Sequence, residues 1–91
     1  MSQSDKTRTT VEIHNRSYTI VGDEPAHHVR MVASLVDQQM REIQETNRSL
    51  DTTRLAVLTA VNTMNDYLKL KEEYTELLGS IKQKKEQDNN D

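Results

Sequence analysis

The chain of 91 residues contains no cysteine, no tryptophan and no phenylalanine. Without cysteine it has neither a disulfide nor a thiolate metal site to staple a small fold. Three tyrosines are its only aromatic residues, and hydrophobic residues make up 33% of the chain, fewer than globular domains usually carry. Small chains also bury a smaller fraction of their surface. A second copy of the chain is the simplest remaining source of core. No apolar run is long enough to span a membrane, and the opening MSQSDKTRTT lacks the apolar centre of a signal peptide. A cytoplasmic location is therefore expected. With Gly22 and Gly79 as the only glycines, no glycine-rich loop is present to cradle a phosphate. A dominant charge of one sign is missing too. The net charge is -3, with six Lys/Arg and seven Asp/Glu in residues 1–50 and six and eight in residues 51–91. That balance argues against a nucleic-acid binder, which usually shows a clustered basic excess.

What is present is patterned. After a polar start, the stretch TTVEIHNRSYTIVG (9–22) alternates: Val11 and Ile13 point one way, Thr10 and Glu12 the other, and Tyr18 and Ile20 resume the alternation after a short break. This is a hairpin signal. The turn is placed around His14 to Ser17, with Asn15 as the residue best able to adopt a positive φ. A two-stranded hairpin is marginal alone, so it needs a helix or a partner sheet beneath it. Gly22 ends the strand. Asp23 and Glu24 favour a helix N-terminus, and Pro25 is tolerated in a first turn. Val29, Val32, Val36, Met40 and Ile43 then step by three or four along one helix face, which Met31 and Leu35 widen. This helix fades near Thr46 and Asn47.

A second helix starts at LDTTRL (50–55), with Asp51 as N-cap and Leu50 and Leu55 placed as a hydrophobic staple. No proline interrupts it. A helix from Thr52 to about Lys85 is about 50 Å long at roughly 1.5 Å per residue. Its first half is apolar on several sides. Leu55, Val57, Leu58, Val61, Met64 and Leu68 spread over more than half the circumference. One side is expected to cover the chain's own hairpin and first helix, and the other to meet the same helix of a second subunit. The residues expected at that subunit contact are Leu55, Leu58, Val61, Asn62, Met64, Asn65 and Leu68. Each buried Leu or Val contributes roughly 1.5–3 kcal/mol, so the monomer is not expected to be stable alone. Beyond Leu68 the apolar residues narrow to Tyr67, Leu70, Tyr74, Leu77 and Ile81, the seam of a short coiled coil. Gly79 interrupts it at a cost of about 1 kcal/mol relative to Ala.

The expected fold is therefore α+β, a ββαα chain that is dimeric. A loose N-terminus (1–8) leads into a head (9–66), a coiled-coil tail (67–86) and a disordered end (87–91).

Three stretches carry a family resemblance: TTVEIHNRSYTIVG, HVRMVASLVDQQMREI and LDTTRLAVLTAVNTMNDYLKLKEEY. Together they resemble the ZapA family of cell-division proteins, in the short form of the Bacillus group, from about Thr9 to Lys84. The third is the most specific, with Asn62 after LAVLTAV and then DYLKLKEEY. The resemblance implies a ββαα subunit that dimerises through its head and carries a coiled-coil tail. It implies a partner, the tubulin-like division GTPase FtsZ, whose protofilaments the protein would bundle to stabilise the ring at midcell. Some relatives form tetramers through longer tails. In the family, filament contacts are attributed to the charged head: a basic residue in the hairpin turn, which matches Arg16, and positions at the start of the second helix. These fall on Thr53 and neighbouring Arg54, with an apolar position at Leu58.

Reactive chemistry was sought alongside. His27 and His28 are adjacent and point about 100° apart on a helix, so they offer no bidentate metal face. His14 is the only other histidine. Glu72, Glu73 and Glu76 lie among Lys69 and Lys71, as on a solvated coiled-coil flank. Lys82, Lys84 and Lys85 suit a helix C-terminus. Met31, Met40 and Met64 read as core filler, and Arg30, Arg41 and Arg48 as a basic extension along the first helix. No enzyme activity, cofactor, metal, nucleic acid or membrane is expected. The rival reading is a small DNA-binding or regulatory coiled-coil dimer. A scaffold for another helix is a third.

Overall fold

A computed structural model describes residues 6–89, with side-chain surroundings through residue 84. The order is β1 (Thr7–Ile13), β2 (Arg16–Gly22), α1 (Ala26–Thr46) and α2 (Thr52–Asn89), the expected ββαα chain. β1 takes in Thr7 and Arg8, which corrects their placement in a loose N-terminus. α2 continues past Lys85 to Asn89, so residues 87–89 are helical rather than part of the expected disordered end. Residues 1–5, 90 and 91 of the expected termini lie outside the described residues.

The hairpin is antiparallel, and its register pairs Ile13 with Arg16, Val11 with Tyr18 and Thr9 with Ile20. Paired residues share a face of the sheet. Thr9, Val11 and Ile13 therefore look the same way as Tyr18 and Ile20. On β1 that face packs on α1, where Val11, Val29 and Ala33 form a buried cluster with Ile13 against it. β2 is left open: Tyr18 is 44% exposed and Ile20 38%. The Thr9 side chain is buried, and its hydroxyl has no hydrogen-bond partner among the described residues, an arrangement that costs about 1–3 kcal/mol. The Thr7 hydroxyl donates at 2.7 Å to the Glu24 carbonyl, tying the strand end to the segment ahead of α1.

α1 begins after Pro25, whose extended backbone (φ -68°, ψ 155°) precedes the first helical residue. No acidic residue lies in the first turn, so Asp23 and Glu24 stand outside it. The buried line on α1 is Val29, Ala33 and Met40, with Val36 and Ile43 half-buried beside it. Val32 departs from the expected face and is 46% exposed, as Met31 and Leu35 are also exposed. Ala33 takes Val32's place because the helix approaches β1 along its small side chain.

α2 is capped as its sequence proposes: the Arg54 backbone N–H donates to Asp51 Oδ1 at 2.9 Å, satisfying one of the free donors of a helix start. The chain forms two compact units, one ending at Thr59 and one beginning at Ala60. The expected division between head and tail, at residues 66 and 67, lies further along the same helix. In the first unit Leu55 is fully buried and Thr59 nearly so, and the Thr59 hydroxyl bonds back to the Leu55 carbonyl at 2.8 Å. Leu55 is therefore a residue of its own subunit's core. This corrects its assignment to a subunit contact, because no part of it is left for a partner to touch. In the second unit every residue from 60 to 84 is exposed.

Candidate functional site

The hairpin turn consists of His14 and Asn15, both left-handed, with φ of 52° and 65°. Two successive positive φ values are what a two-residue type I′ hairpin requires. Asn15 was expected to adopt one. His14 was not, since a non-glycine residue pays a steric cost there. Arg16 is thus the first residue of β2, closing the turn opposite Ile13. It is exposed, and among the described residues it forms no salt bridge.

Side chains from α1 and α2 hold this turn. The His14 backbone N–H donates to Asp37 Oδ1 at 2.7 Å. Asp37 Oδ2 accepts from Arg41 Nε at 2.9 Å, and Arg41 Nη2 donates to Asn15 Oδ1 at 3.3 Å. The His14 ring reaches two ways. Its Nε2 lies 3.2 Å from Gln44 Oε1. Its Nδ1 lies 3.3 Å from the Thr52 hydroxyl. The Arg41 guanidinium bonded to Asp37 holds that carboxyl below the usual carboxylate range, and the His14 N–H adds to the effect. The same pairing raises Arg41 above its ordinary value.

The network lies next in sequence to several of the expected site residues and includes none of the four assigned to the filament. The bond between His14 and Thr52 draws the turn to the first turn of α2. Arg16 is two positions from one end of that bond, and Thr53 and Arg54 are one and two from the other. Thr53 and Arg54 are exposed. Leu58, one helical turn beyond Arg54, is 37% exposed. Of the residues expected along α1 as a basic surface, Arg41 is instead engaged with Asp37 and the turn. Reading the sequence missed Asp37, Gln44 and Thr52 altogether. They meet His14 across separations of 23 to 38 residues, and no local spacing rule reaches that far.

The expected subunit-contact residues on α2 are exposed, apart from Leu55. Val61, Met64 and Leu68 are 58%, 55% and 52% exposed, and Asn62 and Asn65 lie among them, also exposed. The seam residues Tyr67, Leu70, Tyr74, Leu77 and Ile81 are likewise about half exposed or more. On the open side of the hairpin lies an apolar hollow of about 420 Å³, floored by Ile13, Ile20, Val36, Met40 and Ala56. His14 is its one titratable side chain apart from the Tyr18 phenol, which gives it no acid–base pair. Among the described residues no three His, Asp or Glu side chains converge as a metal site, and no helix is long and apolar enough to cross a membrane.

The chain thus combines a ββαα fold, a polar network that shapes the hairpin turn, and a long second helix whose apolar residues from 60 to 84 are exposed, the features of a chain that associates with its own kind rather than one built around a reactive centre. The comparisons make this specific. The family model described as cell division protein ZapA matches residues 9–90. A cell division protein ZapA from Oceanobacillus iheyensis is 67% identical over 86 residues, covering 94% of this chain and all of the relative. One from Bacillus licheniformis is 60% identical, covering 92% of this chain and 99% of the relative. Among solved structures, a ZapA mutant dimer from Geobacillus stearothermophilus superposes with a TM-score of 0.70 at 49% identity. It covers 90% of this chain and 95% of that one. The chain belongs to the ZapA family of cell-division proteins. It is accordingly a non-enzymatic division factor.

Proposed function

We propose that this protein binds FtsZ filaments in the cytoplasm as a homodimer and bundles them, promoting assembly of the division ring at midcell. Family membership supports the partner. One structural observation carries the mode of action: from residue 60 to residue 84 no side chain is buried, although the segment holds Val61, Met64, Leu68, Leu70 and Leu77. An isolated helix gains little from propensity and takes its stability from packing an apolar face. A second copy of the same helix supplies that packing. The solved relative is itself a dimer.

In this reading Leu58, Val61, Asn62, Met64, Asn65 and Leu68 meet their counterparts in the partner subunit. Tyr67, Leu70, Tyr74, Leu77 and Ile81 close the coiled coil beyond them. A two-fold dimer presents each surface patch twice. The patch we assign to FtsZ is Arg16 with Thr53, Arg54 and the accessible part of Leu58. Two weak contacts in one particle hold two filaments together, because the second contact forms at a high effective concentration. No chemistry is required.

The test is Arg16→Glu. The charge reversal lies on an exposed residue outside the core, so the dimer and its melting temperature stay as in the parent. About tenfold more protein is needed for the same increase in FtsZ light scattering, the size expected for losing one charge-assisted contact at each end. Unchanged scattering would remove Arg16 from the site, and loss of the dimer would make it a structural residue.

A further inference from the structure

The turn beside Arg16 is more elaborately held than a hairpin needs. A two-residue turn is ordinarily filled by Asn-Gly or Asp-Gly, which accept positive φ at little cost. Here both positions are non-glycine and left-handed, an arrangement that persists only where the surroundings over-determine it. The surroundings do so from a single carboxylate. Asp37 takes the His14 N–H on one oxygen and Arg41 on the other, and Arg41 reaches on to Asn15. Both strained residues are thereby fixed to α1, while the His14 ring reaches Gln44 near the end of α1 and Thr52 at the start of α2. The Asp37 side chain is only about a quarter exposed, so water competes weakly for it.

We infer that Asp37 is a positioning residue for the partner-binding surface: it locks the left-handed turn so that Arg16, the residue that follows it, stands at a fixed place at the hairpin tip. Without that lock, the strands can still pair, but the tip samples other turns and Arg16 meets its target in only part of the population. Apparent affinity then falls by the fraction of competent molecules. The inference rests on the reading of Arg16 as a filament contact for its consequence, though not for the lock itself.

The experiment uses the full chain in four forms: parent, Asp37→Ala, Asp37→Asn, and Asp37→Ala combined with Asn15→Gly. Two readouts are taken, amide hydrogen exchange at Arg16, which pairs with Ile13 across the turn, in the protein alone, and co-sedimentation with FtsZ polymer. Asp37→Ala speeds exchange at the turn by about tenfold, the scale of one strained residue released, and weakens co-sedimentation while the oligomeric state is kept. Asp37→Asn, which retains an oxygen for the His14 N–H, has a smaller effect and remains informative if the alanine variant fails to fold. Adding Asn15→Gly restores both readouts, because glycine holds a positive φ without outside help. Unchanged exchange in Asp37→Ala overturns the inference. So does accelerated exchange that glycine does not rescue, since Asp37 would then be stabilising the fold generally. Rescued exchange with co-sedimentation unmoved throughout upholds the lock and refutes the assignment of Arg16 to the filament.

Discussion

The unit that ends at Thr59 and the unit that begins at Ala60 use apolar residues in opposite ways. The first encloses Val11, Val29, Ala33, Met40 and Leu55 and spends its polar side chains on tying a hairpin turn to two helices. The second encloses nothing among its described side chains, and Leu70 and Tyr74 are 64% and 60% exposed. One unit answers its folding problem from within the chain. The other carries its apolar surface outward, which is what a chain does when the missing half of its core belongs to another molecule. In the function proposed above, this separation has a use: the head would carry the partner-binding patch, and the helix would set how many patches one particle carries.

The sharpest way to break this contrast is in the first unit. Leu55→Ala empties a fully enclosed site and lowers the unfolding free energy by about 2–5 kcal/mol, read in a urea titration. For so small a chain that loss is enough to leave much of it unfolded. A substitution in the second unit acts by another route. Val61→Glu places a carboxylate on the face we assign to the partner subunit, where burial of an unpaired charge is costly. Sedimentation equilibrium is expected to show dissociation at concentrations where the parent is dimeric. A folded dimer of Val61→Glu would show that this face is not the contact.

Smaller effects sharpen the same comparison. A Cβ added at Gly79 meets no atom within 4 Å, and replacing an interior helical glycine by alanine gains about 1 kcal/mol. Gly79→Ala should therefore raise the melting temperature slightly, without touching the head. The smallest effect is a pH dependence confined to the first unit. Asp37 titrates lower in the folded chain than unfolded, chiefly because of its bond to Arg41. Its contribution is fully present above its unfolded value near about pH 4 and is lost as the pH falls through the lower folded value. The melting temperature of the parent should exceed that of Asp37→Asn by a constant amount from neutral pH down to that point. The gap should then close in stronger acid. A gap that closed near neutrality would assign it to another group.

How much of this is readable without coordinates follows from the range of each interaction. The hairpin is legible in the alternation around Val11 and Ile13, and the cap of α2 in Asp51 three residues before Arg54, because both are local. The buried line of α1 is only half legible. Val32 fits the spacing and is nevertheless exposed, while Ala33 is buried because β1 packs close against it, and periodicity does not weigh size against approach distance. Leu55 shows the same limit, since its spacing marks it as apolar and buried but not by which molecule. Of the candidate site, Arg16 and the positions Thr53, Arg54 and Leu58 at the start of α2 all come from the resemblance. The Asp37–Arg41 pair, four residues apart on a helix, resembles any surface ion pair in sequence. Its role exists only because the turn of a hairpin, at His14, 23 positions away from Asp37, lies against it.

The central claim is that one particle carries two filament-binding heads. It is tested most directly by sedimenting the protein with purified FtsZ and GTP while recording light scattering. The account predicts that it pellets with the polymer and that scattering rises together with pelleting. Pelleting without a rise in scattering would contradict it, since it would mean a protein that binds filaments but joins none.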